Sequence, residues 1–302
     1  MTTVRPYIRL LRPTQWVKNL FLVAPLIFSR HLFELRYDIE VAIGFLVFCA
    51  VSSVVYIIND VADREADRLH PVKRSRPITS GEIGVGQGLV LAAVLLVAVS
   101  LLRTALDLRF WAAVILYLGF NISYSFWFKR VILVDVFIIA GGFMLRVLAG
   151  VFAIDVSISP WLVLCTLFVS VFLAVSKRRA ELLLNVATNE AQTRPVLTEY
   201  SLEFIDQVMT VAASGMAISY ALYTVADRTV KIFGTENLIF TTVFVLFGIF
   251  RYLFLIRQRK TDDNPMHVLV TDAPLVINIL AWFVSCVLII YAEEIHQWVR
   301  MS

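Results

Sequence analysis

The chain has few of the residues on which metal and redox sites are commonly built. Its three cysteines, Cys49, Cys165 and Cys286, each lie in a different apolar run, and its four histidines are scattered. A disulfide or a zinc site needs such residues close together, so neither is expected, and the cysteines are interpreted as small core residues. The chain also has no internal repeat of fixed period and no low-complexity tract.

Charged residues are also scarce, and apolar residues predominate. Only 17% of the 302 residues are charged, 59% are hydrophobic, and the mean hydropathy is +0.80. A soluble domain of this size does not tolerate so much apolar surface, which excludes that class. The sequence therefore predicts an all-α polytopic membrane protein with a single membrane-embedded domain covering residues 1–302, because the apolar runs use nearly the whole chain.

Nine apolar stretches are predicted to span the membrane. They are Leu20–Ser29, Val41–Ile58, Val85–Leu102, Phe110–Phe128, Val131–Ala153, Val156–Ser176, Gln207–Ala226, Leu238–Ile256 and Ala273–Ala292. The first follows a basic segment, as the core of a signal peptide does. Pro25 interrupts it and no small-residue cleavage pattern follows, so this stretch is predicted to remain as an uncleaved first helix.

The basic residues are distributed unevenly between the two sides of these spans. Most lysines and arginines fall on one side, which the positive-inside rule assigns to the cytoplasm. This predicts a multi-pass protein of the inner (plasma) membrane with its N-terminus in the cytoplasm and its C-terminus outside. It also predicts that three polar segments, 59–78, 124–130 and 176–181, lie at the cytoplasmic face.

The first of these segments, NDVADREADRLHPVKRSRPI, follows directly on an apolar run. On a continuing helix Asp60, Asp63 and Asp67 fall within about 60° of arc, whereas Glu65 falls off that face. Carboxylates on one face repel each other unless a cation lies between them. Hard oxygen ligands at this spacing suit Mg²⁺, which also binds phosphate oxygens of a substrate.

Three bases, Lys73, Arg74 and Arg76, follow the acids within one loop. Acids that hold a metal next to bases that hold phosphate predict a diphosphate site. The alternative is a solvated interfacial loop in which the acids and bases only pair with each other.

Lys18 and Asn19 lie where the first predicted helix enters the membrane. The Lys18 side chain has two interpretations, extension of its ammonium to the interface or contact with a phosphate. Both remain open from the sequence.

Arg146 lies well inside the fifth predicted span, where an exposed Arg costs about 2.5–3.5 kcal/mol on insertion scales. It must therefore face the protein interior, and Asp135 is too far along the same helix to pair with it. Either Arg146 pairs with an acid on another helix, or it contacts a substrate phosphate. Asp135 itself is placed to orient Lys129 or Arg130.

Two motifs resemble the UbiA superfamily of intramembrane prenyltransferases. The pattern NDxxDxxxD, at Asn59, Asp60, Asp63 and Asp67, is similar to its first aspartate-rich motif. Tyr124 with Lys129 is similar to the tyrosine-and-lysine element that the family carries between its fourth and fifth helices. The resemblance implies a nine-helix bundle around a cavity open to lipid, with a diphosphate site near the cytoplasm and Mg²⁺ as cofactor.

A departure from the family pattern indicates the substrate. Members typically carry a second DxxxD motif after the sixth helix, whereas this chain has KRRAE, with Lys177, Arg178 and Glu181. Together with QWVKN and HPVKRSRPI, this resembles the branch that uses phosphoribosyl pyrophosphate as donor and a polyprenyl phosphate as acceptor. Such a substrate pair carries more phosphate than a prenyl diphosphate, which fits bases in place of acids.

The resemblance also implies roles for individual residues. The catalytic and metal-binding group contains Asn59, Asp60, Asp63, Asp67, Tyr124 and Lys129. The substrate-binding group contains Lys18, Asn19, Asn59, Lys73, Arg74, Arg76, Arg146, Lys177, Arg178 and Glu181.

Two other functions were weighed. A prenyltransferase acting on an aromatic acceptor would share the first motif but leaves KRRAE without a role. An ion-coupled transporter would need charges near the midplane of several spans, and here almost all charges lie at one predicted face. No nucleic-acid partner is expected, and a homo-oligomer is compatible with the sequence.

Overall fold

The computed structural model describes residues 4–69, 73–188, 199–258, 268–269 and 271–294, without the side chains of 129 and 184–188, and every regular element in them is a helix. The chain divides into two compact units. The first contains Met1–Leu26 and His31–Ser157, and the second contains Ile27–Arg30 and Ile158–Ser302.

The described residues of the first half form eight α-helices and four 3₁₀ helices. The α-helices are α1 (Val4–Leu11), α2 (Ala24–Phe28), α3 (Leu35–Ala62), α4 (Arg64–Arg68), α5 (Pro77–Ser80), α6 (Val85–Ser100), α7 (Leu108–Phe126) and α8 (Val134–Ala153). The 3₁₀ helices are Pro13–Leu22, Lys73–Ser75, Arg103–Ala105 and Phe128–Arg130.

The second half is built from longer helices. They are α9 (Pro160–Thr188), α10 (Leu202–Val225), α11 (Asp227–Phe233), α12 (Thr242–Gln258) and α13 (Ala273–Ile290), with a 3₁₀ helix at Asn237–Thr241.

Seven helices in the described part of the chain are long and apolar enough to cross a membrane. They cover Leu35–Ala62, Val85–Ala105, Val134–Ala153, Pro160–Leu183, Leu202–Val225, Asn237–Gln258 and Ala273–Ile290. Their outer faces are apolar: Val90 and Val97 on α6 are 63% and 62% exposed, and Ile277 on α13 is 65% exposed. Faces of this kind are stable only against lipid, so the all-α, multi-pass membrane class is confirmed.

The two other predicted spans differ from these seven helices. The first is not one helix but the 3₁₀ helix Pro13–Leu22 followed by the short α2, because Pro25 has no N–H with which to continue the preceding helix and is tolerated in the first turn of a new one. The other is α7, which has 19 residues but carries the polar Arg109 and Asn121. The count of nine spans stays a prediction.

In the first unit α3 is the central element. It packs against α6, α7, α8 and the 3₁₀ helix Pro13–Leu22. Phe48 of α3 and Phe110 of α7 are fully buried and meet edge to face, with ring centroids 5.9 Å apart. A Cβ at Gly150 of α8 would lie 2.0 Å from the carbonyl oxygen of Leu22, so the backbone of the 3₁₀ helix lies directly on α8. Residues of the N-terminal segment are thereby held beside α8.

In the second unit α9 packs along α10, and α12 packs along α13. Arg251 of α12 binds Asp272 through two nitrogens, at 3.1 and 2.9 Å, and Asp272 also accepts from the backbone N–H of Leu275 at 3.0 Å. Asp272 is therefore the N-cap of α13 and an ion-pair partner at once. The charge of Arg251, which lies inside the eighth predicted span, is therefore paired with the carboxylate of Asp272.

Candidate active site

The acidic motif begins on α3 but does not continue as one unbroken helix. Helix α3 ends at Ala62, Asp63 has φ −94° and ψ 3°, and the short α4 follows. Asp and Asn favour helix ends because their side chains compete for backbone hydrogen bonds. The break is local, because the N–H of Asp63 still bonds to the carbonyl of Asn59 and that of Asp67 to the carbonyl of Asp63.

Asp60 and Asp67 are brought together by one arginine. Nη1 of Arg76 lies 3.2 Å from Oδ1 of Asp60 and 2.5 Å from Oδ2 of Asp67. Both carboxylates are nearly inaccessible, with 1% and 6% of their side-chain surface exposed, whereas Arg76 is 25% exposed. Arg76, which was predicted to bind phosphate, is thus held by two acids of the predicted metal site.

Arg12 is a second arginine at this site, and sequence reasoning placed it only in the basic lead-in. Its guanidinium bonds to Oδ1 of Asp60 and lies 4.9 Å from the centre of the Tyr56 ring. Its backbone is left-handed, with φ 53° and ψ 59°, a conformation that costs free energy in a residue other than glycine. The signal in the sequence was its place directly before Pro13, where the ordinary helical conformation is disfavoured.

The carboxylates were tested as ligands for Mg²⁺. Within the described residues no three His, Cys, Asp or Glu side chains are grouped closely enough to hold a metal ion. Oδ2 of Asp60, however, is buried and has no hydrogen-bond partner in that same part of the chain. Buried polar oxygens are almost always paired, so an unpaired carboxylate oxygen fits a cation as its ligand. Asp60 could share this cation with Asp67 once Arg76 no longer bridges the two acids.

The Asn59 side chain is positioned from another helix. Oγ of Ser125, near the end of α7, bonds to Oδ1 of Asn59 and lies 2.7 Å from the carbonyl of Asn121. Ser125 was not predicted from the sequence. Tyr124 is its neighbour, and Lys129 lies in the 3₁₀ helix Phe128–Arg130 with its side chain outside the described atoms, so the roles of these two stay predictions.

Arg146 is 5% exposed and makes three hydrogen bonds, none of them to an acid. Its Nε donates to Oδ1 of Asn19 at 2.8 Å, its Nη1 to the carbonyl of Gly142 at 2.9 Å, and its Nη2 to the hydroxyl of Tyr117 at 2.7 Å. The first alternative, an ion pair with another helix, is therefore not found among the described ion pairs. All three partners are neutral, and among the described residues the guanidinium otherwise faces the rings of Tyr117 and Phe143, at 4.7 and 5.3 Å from their centres, rather than a carboxylate.

Lys18 extends this positive region. It is half-buried in the 3₁₀ helix Pro13–Leu22, N-terminal to every candidate membrane span. Burial, then the charges of Arg146 and Arg12, lower the pKa of Lys18 from its ordinary value to about 8. Arg146 and Arg12 therefore repel the charge of Lys18 within one unit. A bound anion would offset the repulsion among these three cations.

The basic loop after the acids is only partly described. Lys73 and Arg74 lie in the 3₁₀ helix Lys73–Ser75, with Arg74 exposed, while residues 70–72 of the predicted segment lie outside the described residues. Arg9 of α1 holds this loop, because its Nη2 lies 2.5 Å from the carbonyl of Ser75 and its Nη1 3.1 Å from Glu82. The backbone before Arg76 is thus fixed from α1.

In the second unit the KRRAE segment lies within α9. Arg178 has a fully buried side chain and bonds to Glu181, whereas the predicted roles of both residues in substrate binding stay predictions. Arg179 faces elsewhere: its Nε binds Asp206 at 2.8 Å and its Nη1 the carbonyl of Ile256 at 2.9 Å. Lys177 is half-buried, and its predicted phosphate contact stays a prediction.

The chain is similar to known proteins over most of its length. A family model described as the UbiA prenyltransferase family matches residues 21–268. The decaprenyl-phosphate phosphoribosyltransferase of Corynebacterium glutamicum is 41% identical over 220 residues, which are 72% of this chain and 66% of that protein. The protein of the same name from Mycobacterium tuberculosis is 34% identical over 222 residues, 72% of each chain.

Among solved structures, a UbiA homolog from Archaeoglobus fulgidus bound to DMAPP and Mg²⁺ has a TM-score of 0.71. It is 19% identical and is matched over 94% of this chain and 98% of its own. At that identity the match shows the fold alone.

Proposed function

The chain belongs to the UbiA prenyltransferase family, and on that premise we propose that it transfers the 5-phosphoribosyl group of phosphoribosyl pyrophosphate to a polyprenyl phosphate, releasing pyrophosphate. The observation that carries the proposal is the identity of 34–41%, over 72% of the chain, to proteins named decaprenyl-phosphate phosphoribosyltransferase. The family makes the chain a membrane-embedded transferase. The relatives' name favours decaprenyl phosphate as the acceptor.

The charges of the first unit support a donor rich in phosphate. Arg12, Lys18 and Arg146 supply positive charge, and Arg146 has only neutral hydrogen-bond partners among those described. Charge-assisted hydrogen bonds from such groups to phosphate are about twice as strong as neutral ones. Lys73, Arg74 and Arg76 are proposed to complete the phosphate-binding set.

The metal site is proposed at the acidic motif. Asp60, Asp63 and Asp67, with Asn59 beside them, would hold Mg²⁺, the ion bound in the Archaeoglobus fulgidus homolog. When bound, the ion neutralises the negative charge that develops on the leaving diphosphate. Ser125 keeps the Asn59 carboxamide oriented, and Tyr124 and Lys129 are proposed to act on the same diphosphate.

The acceptor end of the reaction needs no general base, because a polyprenyl phosphate is already an anion. We assign Lys177, Arg178 and Glu181 to binding phosphate or ribose hydroxyl groups. In-line attack predicts inversion at the anomeric carbon. The proposal includes nine spans, one functional domain over residues 1–302, a cytoplasmic N-terminus and an outer C-terminus in the plasma membrane.

The rival within the family is transfer of a prenyl chain to an aromatic acceptor. The Archaeoglobus fulgidus homolog was solved with a prenyl diphosphate, so the fold accepts such donors. Against it stands the buried Arg178–Glu181 pair, at the place where a second acid pair would bind metal in prenyl-transferring members.

The deciding experiment is a membrane assay with labelled phosphoribosyl pyrophosphate and polyprenyl phosphate. It is run beside a second assay with prenyl diphosphate and 4-hydroxybenzoate, and beside membranes containing the Asp63→Asn variant. Product only in the first assay, abolished in the variant, supports the proposal. Product only in the second assay replaces it with the rival.

A further inference from the structure

Two arginines and two acids form a closed group at the end of α3. Oδ1 of Asp60 accepts from both Arg12 and Arg76, and Arg76 also reaches Asp67. The four formal charges sum to zero. The group is therefore electrically neutral without a bound cation.

This group leaves one oxygen unused. Oδ2 of Asp60 is buried and has no hydrogen-bond partner among the described residues, although the other oxygen of the same carboxylate has two. A site designed only for these ion pairs would distribute the donors over both oxygens. The uneven arrangement indicates that Asp60 serves a further ligand.

Arg76 and a divalent cation exclude each other at these carboxylates. One guanidinium nitrogen lies 3.2 Å from Oδ1 of Asp60 and 2.5 Å from Oδ2 of Asp67, so a cation shared by the two acids would lie close to this nitrogen. Positive charges at such separations repel strongly in a partly buried site. Binding of a cation between Asp60 and Asp67 therefore requires Arg76 to leave.

The surroundings allow the side chain to move while the backbone stays. Arg9 holds the carbonyl of Ser75 on one side, and Pro77 and Ile78 are buried on the other. The Arg76 side chain, by contrast, is a quarter exposed. Movement of the guanidinium away from the acids therefore needs a change of side-chain rotamer rather than of the backbone.

We propose that Arg76 occupies Asp60 and Asp67 in the free protein and moves to the diphosphate of the substrate when metal and diphosphate bind, so that these two ligands bind cooperatively. This inference rests on the metal and diphosphate site of the proposed function. Arg76 loses two carboxylate partners and gains phosphate oxygens, so its charge is paired in both states. By linkage, each ligand raises the affinity of the other by the same factor.

The test measures metal binding directly, in the purified full-length protein in detergent. Mn²⁺ affinity is determined by electron paramagnetic resonance with and without inorganic pyrophosphate, and a protein-free sample gives the metal held by pyrophosphate alone. The variant is Arg76→Gln. Its matched control is Arg68→Gln, which removes a nearby positive charge whose described ion pair is to Glu65, outside the closed group.

Arg76→Gln is expected to bind Mn²⁺ alone about tenfold more tightly than the wild type and to bind pyrophosphate about tenfold more weakly. The cooperativity between the two ligands therefore falls, whereas Arg68→Gln resembles the wild type. Unchanged or weaker Mn²⁺ binding in Arg76→Gln, or no Mn²⁺ binding in any sample, overturns the proposal.

If Arg76→Gln does not fold, Arg76→Lys decides. The lysine side chain is shorter and its ammonium is more strongly hydrated than a guanidinium, so it should hold Asp60 and Asp67 less firmly, and this variant is expected to bind Mn²⁺ alone more tightly than the wild type. Equal Mn²⁺ affinity overturns the proposal. Binding of Mn²⁺ and pyrophosphate does not depend on which group the protein transfers, so the two proposals can fail separately. Cooperative binding without phosphoribosyl transfer rejects only the proposed function. Phosphoribosyl transfer without cooperative binding rejects only this inference.

Discussion

Arg146 and Asn19 are 127 positions apart in the chain, yet Nε of Arg146 donates to Oδ1 of Asn19 at 2.8 Å. The bond joins α8 to the N-terminal segment through a neutral acceptor. A carboxylate in place of the carboxamide would compensate the charge of Arg146 within the protein. The amide oxygen makes the hydrogen bond without compensating that charge, which fits the proposed phosphate contact.

This relationship predicts the effect of Asn19→Asp. The variant should fold, because the new carboxylate gains an ion pair, but its affinity for phosphoribosyl pyrophosphate should fall about tenfold to a hundredfold, the value of one charge-assisted contact of roughly 1.5–3 kcal/mol. Calorimetric titration measures the affinity, and thermal unfolding checks the fold. Ser52→Ala, which removes a 3.4 Å contact of the Asn19 amide nitrogen and a bond to the carbonyl of Cys49 but introduces no charge, is the control. Wild-type affinity in Asn19→Asp would show that the substrate does not use Arg146.

Lys18 predicts a pH dependence of anion binding. With a pKa of about 8 the Lys18 side chain is charged below that pH and neutral above it, so pyrophosphate affinity should fall as the pH rises from about 7 to about 9. Lys18→Arg keeps its charge over this range and should remove that part of the decrease. The comparison of the two proteins cancels the ionisation of pyrophosphate itself. Parallel curves for both would contradict a role for Lys18.

Substitutions of Arg178 and Arg179 by alanine are expected to have different effects. Arg179→Ala removes an ion pair to Asp206 and a bond to the carbonyl of Ile256, so thermal stability should fall while kcat/KM per folded molecule holds. Arg178→Ala should lower kcat/KM for phosphoribosyl pyrophosphate or the lipid phosphate about tenfold to a hundredfold. Steady-state kinetics on protein that passes a folding check separates the two. Equal losses of stability with no kinetic difference would make KRRAE a structural segment.

The predicted orientation is tested by a cysteine at Ser75. This residue is exposed in the basic loop, whereas Cys49 and Cys286 of the wild type are buried and Cys165 is half-buried. A membrane-impermeant maleimide should label Ser75→Cys in inverted vesicles and not in intact cells, with the wild type as background. A second cysteine at Thr104, in the loop after α6, should show the reverse pattern. Labelling of Ser75→Cys in intact cells would invert the topology.

Apolar patterning predicts most of the helices here, because seven predicted spans correspond to helices of sufficient length. It fails where single residues override the pattern. Pro25 lies in the first turn of the short α2 instead of within one long first helix, and Asp63 divides the acidic motif between α3 and α4. Both effects arise from the backbone preferences of a single residue. The mean hydropathy of a sequence window does not contain this information.

The candidate site is predictable by residue type but not by partner. The aspartates and bases were named from the motif, whereas the assignment of Arg76 to Asp60 and Asp67 follows from tertiary packing of the loop against α3. Arg12 and Tyr117 were missed for a different reason. Arg12 seemed one of several interfacial bases, and Tyr117 is an aromatic residue in an apolar helix, a place where such side chains are ordinarily core.

The contact between Gly150 and the carbonyl of Leu22 limits how this protein can be redesigned. Gly150 is one helical turn beyond Arg146, and Leu22 is one turn beyond Asn19. A methyl group at position 150 would lift the N-terminal segment from α8 and separate the Arg146–Asn19 pair with it. A directed-evolution library aimed at other phosphorylated donors can vary the exposed sides of α6 and α13 widely. At position 150 we expect selection to retain only glycine.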